Sequence, residues 1–125
     1  MNDFDRKSIL VVDDEEIIRE FLTEVLNDDY NVSLAKDGDD AINQLTGGAF
    51  DLVITDLKMP KVSGDEVVKY IQEQHPGTPV IIISGYSTLY AASQSVNHGA
   101  IAFLAKPFSI VDLTRAVDEA LNTNA

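Results

Sequence analysis

Four carboxylates in a row, Asp13, Asp14, Glu15 and Glu16, follow directly on the branched apolar run Ile9-Leu10-Val11-Val12. Like charges this close repel one another, and the crowding makes sense if a cation is expected among them. Three more polar residues stand in comparable places, each just after an apolar, β-rich run: Asp56 after 52–55, Ser84 after 80–83 and Lys106 after 102–105. Oxygen donors without cysteine or histidine suit magnesium, with manganese as a substitute, rather than zinc. Magnesium takes only one or two carboxylates, keeps several waters and commonly leaves a position for a phosphate oxygen. With the negative charge offset by the metal and by Lys106, the Asp56 carboxylate can attack phosphorus as a nucleophile. Phosphoryl transfer asks mainly for positioning and charge stabilisation, which a divalent ion, an ammonium and a hydroxyl can supply.

Such convergence needs a scaffold that brings strand ends together, and the hydrophobic pattern provides one. Apolar runs at 8–12, 32–35, 52–55, 80–83 and 102–105 read as strands. Between them lie segments with helical spacing. Ile18, Phe21, Leu22, Val25 and Leu26 form one stripe; Ala41, Ile42 and Leu45 another; Val67, Val68 and Ile71 a third. Ile110, Leu113, Val117 and Leu121 form a stripe near the C-terminus, and 87–98 reads as a helix with little apolar surface to pack. Five strands alternating with five helices imply an α/β fold, a doubly wound parallel sheet with right-handed crossovers and helices on both faces. In such sheets ligands bind beyond the carboxyl ends of the strands, where the acids, Ser84 and Lys106 fall. Breakers at Gly47-Gly48, Met59-Pro60, Pro76-Gly77, Gly99 and Lys106-Pro107 separate the elements. With no repeat or linker, one domain is expected over 1–125, its core at about 7–122.

Composition excludes several classes. The 125 residues carry 21 Asp and Glu against nine Lys and Arg, a net charge of −12, with no cluster of basic residues. Direct nucleic-acid binding by this domain is therefore not expected. Cysteine is absent, which removes disulfide frameworks and thiolate metal sites and fits a reducing cytoplasm. No apolar run is long enough for a bilayer and the start lacks the features of a signal peptide, so a cytoplasmic location without membrane attachment is expected.

The motifs "VVDDE" at 11–15, "DLVITDLKMP" at 51–60, Gly64, "IIISGY" at 81–86 and "GAIAFLAKPF" at 99–108 together resemble the receiver domain of bacterial two-component response regulators, over nearly the whole chain. The resemblance implies a flavodoxin-like sheet in 2-1-3-4-5 order. It implies that Asp56 is the phosphoacceptor, charged from the phosphohistidine of a sensor histidine kinase or a phosphotransfer protein. Asp14, Asp56 and the backbone carbonyl of Lys58 would ligate magnesium, with Asp13 acting chiefly through a metal-bound water. Lys106 would pair with a phosphoryl oxygen and precede a cis proline. Ser84 would hydrogen-bond the phosphoryl group and Phe103 would turn inward on activation; Phe103 lacks the hydroxyl of the tyrosine common there, so the switch would work through packing. The face made by the fourth helix, fifth strand and fifth helix would then engage an output domain or protein target, as a monomer or a phosphorylation-dependent dimer. Such a protein is a signalling receiver rather than a conventional enzyme, catalysing its own phosphoryl transfer and slow autodephosphorylation. Lys58 and Tyr86 would stand on the rim and shield the phosphoryl group from water.

Each residue also has a plainer reading. Asp13 or Asp14 can be an N-cap for the first helix, Asp56 a turn residue, Ser84 loop chemistry, Lys106 a solvated cation and Phe103 core. His75 and His98 suit surface or helix-capping roles, and the acids at 28–29 and 37–40 suit solvated loops. Only the joint occurrence of the motifs favours chemistry. A flavodoxin-like electron carrier would place a neutral, hydroxyl-rich phosphate loop where Asp13 and Asp14 stand. A haloacid-dehalogenase-type phosphatase would need Asp-x-Asp after the first strand, which "DDEEI" does not match. A pseudo-receiver acting only as a binding module would lack an acid or the lysine.

Overall fold

The computed structural model describes residues 6–57, 59, 62–85 and 102–123. Within them the apolar runs become five strands: β1 Ser8–Val12, β2 Asn31–Ala35, β3 Leu52–Asp56, β4 Val80–Ser84 and β5 Ala102–Ala105. All four neighbouring pairs are parallel and the order is β2-β1-β3-β4-β5, as the resemblance implied. Two strands run one residue further than the apolar pattern suggested. Asp56 pairs opposite Ile83 and Ser84 opposite Ala105. The polar residues therefore close the strands instead of opening loops, and their backbones are fixed by the sheet ladder.

Alternation along the strands divides the core in two. Ile9, Val11, Leu52, Ile54, Ile81 and Ile83 face a layer built from Leu22 and Leu26 of α1 (Glu16–Leu26) and Leu113, Val117 and Leu121 of α4 (Ile110–Thr123). Leu10, Val12, Val53, Val80 and Ile82 face Ala41 and Leu45 of α2 (Gly38–Gly47) and Val67, Val68 and Ile71 of α3 (Gly64–Gln74). With both faces covered, β3 and β4 are buried along their whole length. The described residues thus hold four helices; the expected helix at 87–98, and His98 with it, lies outside them.

Two local expectations need correction. The acids at 37–40 are not a solvated loop: the Asp37 side chain accepts the Asp40 N–H at 2.8 Å and caps α2, and Asp39 and Asp40 fill its positive first turn. Asp28 and Asp29 are exposed, as expected. Ile110 does not belong to the buried stripe. Ser109 supplies the turn that starts α4, accepting from Asp112 N–H at its hydroxyl and from Leu113 N–H at its carbonyl. This start leaves Ile110 53% exposed, and the stripe begins at Leu113. His75 closes α3, as expected, and its ring also bonds the Leu45 carbonyl in the last turn of α2, at 2.8 Å, tying two helix ends together.

Gly64 links the fold to the acids. Its N–H donates to the Leu57 carbonyl at 2.8 Å, and a Cβ there would collide with the Asp56 carbonyl oxygen and the Leu57 Cα. α3 can start this close to the end of β3 only without a side chain. Gly64→Ala is expected to cost about 2–3 kcal/mol, because rigid backbone must move. Urea unfolding checks this; a midpoint unchanged from the parent would show that the approach is slack.

Candidate functional site

The carboxyl ends of β1, β3 and β4 and the residue after β5 meet at one edge of the sheet. Asp13 is fully buried and held on three sides. Its N–H donates to the Ala35 carbonyl at 3.1 Å, its Oδ1 accepts the Glu15 N–H at 2.8 Å, and its carbonyl accepts from Arg19 Nη1 at 2.8 Å. Asp14 is exposed beside it. Neither is the N-cap of α1; that position falls to Glu15, whose backbone is extended and whose carbonyl accepts the N–H groups of Ile18 and Arg19. Asp13 instead closes the preceding turn through its side chain.

Asp56 ends the central strand with 6% exposure. Its carbonyl accepts from the Thr55 hydroxyl at 3.0 Å and faces Gly64. Ser84 ends β4, fully buried, and its carbonyl accepts the Lys106 N–H at 2.7 Å, which extends the ladder by one rung to the lysine. The Lys106–Pro107 bond is cis, as expected. The Lys106 ammonium meets three carboxylates: Asp13 Oδ2 at 3.1 Å, Glu15 Oε1 at 3.1 Å and Asp56 Oδ2 at 3.5 Å. Phe103, opposite Ile82 on β5, is half-buried against the α2–α3 side of the core. Lys58 and Tyr86 lie outside the described residues.

Burial and crowding set the electrostatics. Burial above all, then the charge of Asp13, pushes the Asp56 carboxyl up to about 6 against the pull of Lys106. Asp13 is also raised, burial outweighing its bonds to Glu15 N–H and Lys106. Burial pulls the Lys106 ammonium down, but its bonds to Asp13 and Glu15 and the nearby charges win, and it is held above its usual value. Among the described residues one ammonium therefore meets three carboxylates.

That surplus fits a hard divalent ion. Carboxylate oxygens of Asp13, Asp14, Glu15 and Asp56 come within 4.8 Å of one another, a donor set of oxygen only. Such an ion would offset the charge that Lys106 leaves uncompensated. Asp13, Asp14, Asp56, Ser84 and Lys106, expected together from their strand-end positions, are neighbours along one edge. Glu15 and Arg19 were not among the residues singled out there.

An all-parallel sheet in this order, with acids closing β1 and β3 and a lysine following β5, defines the receiver class of phosphorylation-activated switches. Residues 9–118 match the response regulator receiver domain, and the chain belongs to that family. It is 39% identical over 117 residues to the response regulator protein PilR of Pseudomonas aeruginosa, covering 93% of this chain and 26% of PilR. It is 36% identical over 106 residues to the response regulator ArlR of Staphylococcus aureus, covering 84% of this chain and 48% of ArlR. The chain therefore spans less than half the length of either relative. The signal receiver domain of an HD domain-containing protein from Pseudomonas fluorescens superposes with a TM-score of 0.89 at 30% identity, covering 95% of this chain and 97% of that one. No helix among the described residues is long and apolar enough to cross a membrane.

Proposed function

We propose that Asp56 accepts a phosphoryl group from the phosphohistidine of a sensor histidine kinase or phosphotransfer protein, and that the aspartyl phosphate switches a target-binding face. The observation that carries this reading is a nearly buried Asp56 sharing one ammonium with the fully buried Asp13. The Asp56 oxygen attacks phosphorus, the P–O bond forms, and the P–N bond breaks with its electron pair returning to the imidazole. Asp14, Asp56 and the Lys58 carbonyl would hold magnesium, or manganese in its place, with Asp13 acting through a water. The ion, when bound, supplies charge neutralisation for the phosphoryl oxygens. Lys106 pairs with one of those oxygens. Ser84 hydrogen-bonds another, and Phe103 moves into the space that Ser84 vacates, biasing an existing two-state equilibrium.

The affected face would comprise 87–98, Ala102–Ala105 and α4, engaging an output domain or protein target in the cytoplasm, as a monomer or a phosphorylation-dependent dimer. The domain would also hydrolyse its own phosphate slowly. The test is incubation with a small-molecule phosphodonor and magnesium, followed by intact mass. The parent should gain one phosphoryl group and Asp56→Asn none, since an amide is a poor nucleophile; equal uptake by both would overturn the assignment.

A separate consequence concerns the metal. Because an ion that binds the native acids stabilises the fold, magnesium at about 100 times its dissociation constant should add about 2.7 kcal/mol. Thermal unfolding with magnesium or with chelator, at matched ionic strength, measures this. Asp14→Ala should abolish the difference, and equal melting temperatures for the parent would sink the expectation.

A further inference from the structure

The Lys106 ammonium has three N–H donors and meets three carboxylates. A phosphoryl oxygen arriving on Asp56 must therefore displace one of them. We infer that Glu15 is a placeholder: in the unphosphorylated protein it occupies the Lys106 donor that a phosphoryl oxygen takes over, and so sets how readily the phosphorylated state forms. This inference rests on Asp56 being the phosphoacceptor.

The three acceptors are not equally free to leave. Asp13 is fully buried, with Oδ1 fixed by the Glu15 N–H and its carbonyl by Arg19. Withdrawing it would strand a buried charge without a cation. Asp56 is the residue that carries the incoming group. The Glu15 side chain is 56% exposed, and the bond to Lys106 is the one its carboxylate makes among the described residues. Released, it exchanges that bond for water, at the small cost of parting a solvent-exposed pair.

The backbone of Glu15 stays put meanwhile. Its N–H is bonded to Asp13 and its carbonyl starts α1, so only the flexible stem need swing outward. The incoming negative charge favours that swing, since Glu15 would otherwise face the phosphoryl oxygens with no cation between them. Occupancy of the ammonium by Glu15 and by a phosphoryl oxygen are mutually exclusive, and each weakens the other equally. Glu15 is thus a positioning residue that acts through Lys106.

Beryllium fluoride, a tetrahedral mimic of a carboxylate-bound phosphoryl group, can be titrated calorimetrically into the protein in excess magnesium. Magnesium is also titrated alone. The variants are Glu15→Gln, which keeps the side-chain length and the backbone bonds, and Glu16→Gln, which removes an equal, exposed charge without touching Lys106. Glu15→Gln should bind the mimic up to about fivefold more tightly than the parent, the upper end of what loss of one exposed ion pair gives. Glu16→Gln should change it much less, and magnesium affinity should respond alike in the two variants. Equal effects on mimic binding from both variants would reduce Glu15 to a distant charge and overturn the inference. A loss of magnesium affinity confined to Glu15→Gln, with weaker mimic binding, would make Glu15 a metal ligand and overturn it too. A parent that bound no mimic at all would overturn the phosphoacceptor reading and this inference together, whereas a parent that bound it as tightly as Glu15→Gln would overturn the inference alone.

Discussion

Metal-free Asp56→Asn protein will be more stable than the parent at about pH 7.5, by about 2–3 kcal/mol. The gain arises because Asp56 is 6% exposed beside the buried Asp13, and burial with that charge lifts its carboxyl to about 6. In the unfolded chain the same group titrates near 3.9. Between those two values the native protein keeps a proton that the unfolded chain releases, so each rise in pH costs stability. The loss is complete once pH has passed the folded value of about 6. Asparagine carries no such penalty. Its advantage should therefore be small at about pH 4.5, grow toward neutrality and level off above it. Urea unfolding in chelator across this range measures the difference, and an advantage independent of pH would show that the crowding of acids is not its source.

Loss of the lysine should have the opposite sign. Lys106→Met will destabilise the metal-free protein by about 2–4 kcal/mol near neutral pH, because the buried Asp13 carboxylate loses the one ammonium it pairs with among the described residues. The Lys106 ammonium is held above its usual value, so its contribution is fully present at neutrality and is lost only as pH climbs through that raised value. Toward acid pH the damage should shrink, since Asp13, itself raised, takes up a proton and no longer needs a partner. Little of the cost belongs to Glu15, whose carboxylate is largely in water. Asp56→Asn on the Lys106→Met background should recover part of the loss, as one of the two stranded acids is gone. Additive effects of the two substitutions would mean that the ammonium and Asp56 do not interact.

The strand ends were legible because apolar runs stop abruptly at polar residues, and a parallel sheet places those stops along one edge. Asp13, Asp56, Ser84 and Lys106 are brought to that edge by backbone ladders, which local pattern encodes well. Glu15 was not legible in the same way. Its carboxylate meets an ammonium 91 residues away, across two strands, and nothing local distinguishes it from the helix-end charge of Glu16. The acids at 37–40 were misjudged because a run of charge around Gly38 resembles a loop, whereas Asp37 caps α2 and Gly38 packs against Val62. Ile110 misled for a related reason: its spacing matches the stripe of α4, but the turn at Ser109 sets where the buried face begins.

Unequal burial across the sheet carries one more consequence. β3 and β4 are buried throughout, while β5 pairs with β4 alone among the described strands and is only half-covered. Backbone amides of β1, β3 and β4 should open to hydrogen exchange only with the whole molecule, whereas β5 can detach in a smaller, cheaper opening. Asp13 and Asp56 thus belong to the most persistent part of the protein, and Lys106 follows one of its two less covered edge strands. Any bond that fastens Lys106 to the acids, or to a group placed on them, ties a loose edge to a firm centre. The chemical state of the edge site is in this way written into the lifetime of β5.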